Sequence, residues 1–215
     1  MGDVNVQLVR EFFELNLFQV MTNWQQTSRR LRPGENAGQL FVQNTNPGHP
    51  RELPFLLHPA DLPPIERAVV EVRAWHGDRF YPSVIEANPV LSSFVSDESL
   101  ALARDLFGGQ PFRTILVLSE LPASSELRAR SLHLLQQTGV GHVFEFPLVL
   151  RDLIDKVDES GNYGASATLQ TLRLLKRYKL VRHQQMEFAF PLGSQSVDVS
   201  VRMDAAIEEE DDQQE

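Results

Sequence analysis

The run from Ala68 to His76, AVVEVRAWH, sets an acid and a base two residues apart inside an otherwise apolar segment. Side chains alternate across a strand, so Val69, Glu71, Arg73 and Trp75 project to one face while Ala68, Val70, Val72 and Ala74 project to the other. Burying charge costs several kcal/mol per ion unless it is paired, hydrogen-bonded, or used on a metal or a phosphate. Two chemistries suit the pattern: a structural pair in which Glu71 and Arg73 satisfy each other, or a metal and phosphodiester site built on both. At the end of the run, Trp75-His76-Gly77-Asp78 offers an imidazole and a carboxylate at the strand terminus where α/β sheets bind ligands. A hydrogen-bonded rim histidine is the competing reading there, against an enzyme of unrelated chemistry. The serines do not fall in G-x-S-x-G, and no Gly-rich phosphate loop, H-E-x-x-H or paired Cys/His spacing occurs.

The elements that must position these residues are legible from periodicity. Val4 to Asn16 has an apolar stripe of Leu8, Val9, Phe12 and Phe13 at helical spacing, with Glu11 on its flank and Glu14 nearly opposite. Leu17 to Trp24 alternates as a first strand, Ser28 to Ala37 is a basic loop, and Gly38 to Asn44 is a second strand closed by the turn Asn46-Pro47-Gly48. Pro47 to Glu66 carries too many prolines for a continuous helix and reads as an insertion that packs Leu53, Phe55, Leu56 and Leu57 on the body. The Glu71 strand is the third. Pro82 to Phe107 is helical but broken by Pro89, with capping residues at Ser96 to Ser99. Thr114 to Leu118 lacks polar alternation and predicts a strand buried on both faces. Ser124-Ser125-Glu126 caps a helix to Gln137 that Gly139 stops, Val140 to Phe146 gives a fifth strand, and Pro147 to Val157 a further helix. This is an α/β pattern whose last strands are joined by a helical crossover.

Tyr163 to His183 forms a separate helical unit with an apolar stripe of Leu169, Leu172, Leu175 and Leu180. Its other residues include Arg173, Lys176, Arg177, Lys179 and Arg182, with no acid between Ser166 and His183. That is either a solvated basic face or a phosphate-contacting helix. Met186 to Leu192 is a short strand or a tether, and Glu208 to Glu215 has no apolar residue and is expected to be disordered. The net charge of -9 is concentrated at the end: from Leu192 onward eight acids face one base, which leaves only -2 for residues 1–191. Global charge is therefore a poor argument against polyanion binding. At 42% hydrophobic and 23% charged residues the chain has a soluble globular composition, and zero cysteines exclude a disulfide framework and thiolate metal sites. Without a signal-like N-terminus, and without a run of about 18 apolar residues, the expected setting is cytoplasmic with no membrane partner.

The order of elements, together with Glu71-Val72-Arg73, resembles the restriction-endonuclease-like, PD-(D/E)xK nuclease superfamily. Its core is a helix, three strands, a helix and a strand around a mixed central sheet, which corresponds here to Val4 to Phe146. The resemblance implies a nuclease-like domain over residues 1–158, followed by a basic helical extension over 159–191 and an acidic tail over 192–215. In that family two carboxylates hold a Mg²⁺ that activates water, and a lysine positions the water and neutralises developing charge. Carried over, Glu71 takes the acid position of the third strand and Arg73 the lysine position, where it keeps the charge but cannot accept a proton. Gln39 stands where the second-strand acid is expected, a poor substitute on Mg²⁺, and Glu11 of the first helix is the candidate second metal ligand beside Glu71. The expectation is a domain that contacts DNA phosphates through Arg173, Lys176, Arg177, Lys179 and Arg182, with Mg-dependent phosphodiester hydrolysis impaired or lost. The alternatives are a non-catalytic protein-interaction module on the same frame, or an active Mg-dependent DNA nuclease.

Overall fold

The computed structural model describes residues 4–22, 38–77 and 79–181. The basic loop expected at Ser28 to Ala37, the strand or tether at Met186 to Leu192, the acidic end, and the individual residues Asp78 and Arg182 lie outside them.

Helix α1 (Val4–Leu15) buries Val9, Phe12 and Phe13 of the stripe its spacing predicts, with Leu8 partly buried. Leu17 takes φ +66, a left-handed conformation that turns the chain straight into strand β1 (Phe18–Thr22). β2 (Gln39–Asn44), β3 (Leu56–Leu57), β4 (Arg67–Arg73), β5 (Arg113–Leu118) and β6 (His142–Glu145) complete a six-stranded mixed sheet in the order β1-β2-β4-β5-β6-β3. β1, β2 and β4 form an antiparallel meander; β4, β5, β6 and β3 run parallel. The proline-rich insertion thus supplies a sixth strand that periodicity did not predict. A strand of two residues is too short to show alternation, and the sheet's edge at β6 selects it.

Between β4 and β5 the broken helical stretch resolves into α2 (Pro82–Ala87), α3 (Val90–Ser93) and α4 (Asp97–Leu106), with the Ser96 side chain accepting from the Ser99 amide at the start of α4. α5 (Ser125–Gln137) joins β5 to β6, α6 (Phe146–Lys156) follows β6, and α7 (Ala167–Arg177) is the last described helix.

Two cores follow from strand alternation. Ala68, Val70 and Val72 of β4 pack with Leu40 and Val42 of β2 under α1, α6 and α7, where Phe12 meets Phe13 and Phe144 edge to face. Val69 of β4 and Phe41 of β2 point the other way, against Phe80, Ile85, Leu91, Phe94, Ala103 and Leu135 from α2 to α5 and their loops. The sheet is therefore covered on both faces, which is why β5 carries no polar alternation.

Candidate functional site

Glu71 and Arg73 share the face of Val69, under α2 to α5, as alternation requires. Gln39 faces Glu71 directly across the β2–β4 pair. The flanking bond from the Val72 amide to the Gly38 carbonyl makes Gln39 and Glu71 a non-hydrogen-bonded pair, the arrangement that brings opposed side chains closest. Gly38 permits this approach: a Cβ there would stand 2.7 Å from the Val72 carbonyl oxygen. On the other side of Glu71 lies Leu116 of β5.

The carboxylate is sealed. Glu71 is 0% exposed and Gln39 2%. Arg73 Nη2 lies 2.5 Å from Glu71 Oε1 as a close ion pair, and no residue other than Arg73 reaches the Glu71 oxygens among the described residues. Burial pushes the Glu71 carboxyl above its ordinary value, and the attraction of Arg73 only partly opposes that.

Glu11 does not join them. It projects from α1 on the opposite face of the sheet, 1% exposed, where it accepts from Gln7 Nε2 at 2.7 Å and from the Ser166 hydroxyl. Ser166 in turn accepts the Leu169 amide at the start of α7, so Glu11 anchors the C-terminal helix. Glu14, as its wheel position predicts, is exposed and paired with Arg10. Glu71 and Glu11 thus lie on opposite faces of the sheet, and the described residues do not bring them together at one site. The residues around Glu71 supply one carboxylate and one amide oxygen beside a guanidinium. That set does not fit Mg²⁺, which calls for near-octahedral oxygen ligation and is repelled by a fixed positive charge. Among the described residues no three His, Asp or Glu side chains come together as a metal-holding group.

The basic helix is divided in its work. Lys176 donates from Nζ to the carbonyls of Ile154 at 2.7 Å and Val157 at 2.5 Å, closing the C-terminus of α6, and Arg173 Nε donates to the Glu159 carbonyl. Arg177 and Lys179 are exposed. Lys179 has φ +57 and ends α7 in a Schellman arrangement, with its amide bonded to the Lys176 carbonyl and the Leu180 amide to the Leu175 carbonyl. The exposed large apolar residues Leu174 (40%), Tyr178 (68%) and Leu180 (72%) lie along the same end. The amphipathic spacing places Leu169 in the core, yet Leu180 lies beyond the helix stop and leaves the stripe.

At the strand termini, a cavity of about 370 Å³ is lined by His76, Gly77, Arg79, Tyr81, Ser119 and Glu120. His76 pairs with Asn5 at 3.0 Å and packs edge-on against Phe146, Arg79 is bonded to Glu120 at 3.0 Å, and Ser119 donates to the Trp75 carbonyl. Sequence reading found His76 but not Ser119 or Glu120. The available signal was their place immediately after the buried β5, where parallel strands present ligand-facing loops. No family model matches the chain, and no curated protein or solved structure does so either.

Proposed function

We propose that the chain is a non-catalytic interaction module built on a restriction-endonuclease-like frame. What supports the frame is the order helix α1, antiparallel meander β1-β2-β4, helices, then β5 parallel beside β4, together with Gln39, Glu71 and Arg73 on one face at the positions the resemblance assigns. The observation that carries the loss of catalysis is Glu71 at 0% exposure with Glu11 on the far side of the sheet. A phosphodiester has no path to a carboxylate that water does not reach.

A protein partner with an acidic, partly apolar surface suits the α7 end better than DNA does. Lys176 and Arg173 are engaged with backbone carbonyls, so Arg177 and Lys179 are the exposed cations there among the described residues, beside Leu174, Tyr178 and Leu180. Phosphate-backbone binding draws its affinity from many cations and is steeply salt-dependent, whereas apolar contact is not. Incubating the full chain with linear and supercoiled DNA in Mn²⁺ is the test, with DNA affinity followed against salt. No cleavage, and weak binding that Arg177→Ala leaves nearly unchanged, is the expected result. Metal-dependent cleavage abolished by Glu71→Ala would overturn the reading.

A further inference from the structure

We propose that the outer edge of β1, unpaired among the described residues, pairs with β1 of a second copy of this chain, antiparallel and about a two-fold axis at Val20. At the base of the β1–β2 pair the Thr45 amide donates to the Leu17 carbonyl at 2.9 Å. Alternation then makes Gln19–Gln43 and Met21–Phe41 the hydrogen-bonded pairs, so Phe18, Val20 and Thr22 turn their N–H and C=O groups away from β2. The partition is consistent on the other side of β2, where the Asn44 amide donates to Glu66 and the Gly38 carbonyl accepts from Val72.

Among the described residues no strand lies beyond β1. Edge strands are ordinarily guarded by charge, proline, a bulge or shortness. The opposite edge, β3, is two residues long and stands between Pro54 and Pro59. β1 is FQVMT, five residues with no charge and no proline, and Met21 within it and Leu17 just before it are exposed.

A second copy is the occupant that fits, because the strand is complementary to itself. With the axis at Val20, Val20 meets Val20 of the copy and Phe18 meets Thr22. Each of those residues is one that presents its backbone groups outward, so two N–H···O bonds form at each of three residue pairs. β-branched and aromatic neighbours of this kind favour cross-strand pairing, and an isologous contact closes without propagating.

The test is the mass of the full chain by light scattering from low-micromolar to near-millimolar concentration, with amide hydrogen exchange at both ends of the range. The wild-type mass should rise from 24.4 kDa towards twice that value. The amides of Phe18, Val20 and Thr22 should slow with concentration, while those of Gln19 and Met21, already bonded to β2, should not. Gln19→Lys combined with Met21→Lys alters two exposed side chains that face each other across the axis, so the far-ultraviolet dichroism should be retained and the dimer lost. A wild-type chain that keeps one mass throughout, or self-association that survives both lysines, overturns the proposal.

Discussion

At Glu71 two electrostatic effects compete, and burial outweighs the attraction of Arg73, so the carboxyl titrates above its ordinary 4.5. A raised acid favours folding while it is protonated: the contribution is present below pH 4.5 and is lost as pH rises through the folded-state value. Glu71→Gln mimics the neutral form and is therefore expected to leave stability at neutral pH unchanged or higher, and to remove that pH dependence. Arg73→Met strands a buried carboxylate and should cost about 3–5 kcal/mol. Denaturant unfolding of the Glu71→Gln, Arg73→Met double variant should recover most of that loss. His142 behaves in the opposite sense. Burial lowers its value below 6.5, against the Pro54 carbonyl that accepts from Nδ1 and the nearby Asp61, with Arg113 adding to the lowering. Its contribution is present above pH 6.5 and is lost as pH falls towards the lowered value. His142→Asn, which retains a donor, should flatten stability in that window of a pH-resolved thermal melt. At this scale the shared face of Glu71 and Arg73 was legible, since strand alternation alone decides it. The placement of Glu11 was not, because a helical wheel gives an angle about the helix axis and not the side of the sheet on which the helix packs.

The elements divide along the same line. Strands whose pattern is set by burial on both faces, such as Thr114 to Leu118, could be read directly, and so could the stops at Pro89 and at Gly139, which has φ +84. β3 could not, since it owes its existence to the neighbouring β6. The basic helix shows a further limit: a count of lysines and arginines does not reveal which are occupied. Lys176 sits in the last turn of α7 and reaches the carbonyls that α6 leaves unsatisfied. Lys176→Met should therefore destabilise the chain by about 1.5–3 kcal/mol, the range for hydrogen bonds to a charged group. Arg177→Ala should stay within about 0.5 kcal/mol, as at an ordinary exposed site. Chemical denaturation of the two variants side by side separates a capping cation from an exposed one, and equal losses would contradict the assignment.

For the whole molecule, the sheet is the decisive barrier. It sends α2 to α5 to the face of Glu71 and α1, α6 and α7 to the other, so the two acids that a shared metal would require are held apart by the core itself. The α/β class and the mixed sheet were readable in the order of elements; the sealing of the Glu71 face was not, because it depends on how α2 to α5 close over the strands. None of the described helices is long and apolar enough to cross a membrane. If Glu71 and Gln39 are enclosed beside Arg73 as a structural cluster, no cation binds there. Unfolding midpoints of the wild-type chain and of Glu71→Gln at neutral pH, each with and without millimolar Mn²⁺, test it most directly, since an ion bound to the folded state must raise the midpoint. Mn²⁺ should shift neither protein, and the glutamine variant should be at least as stable; a Mn²⁺-dependent rise in the wild type that disappears in the variant would make Glu71 a cation ligand.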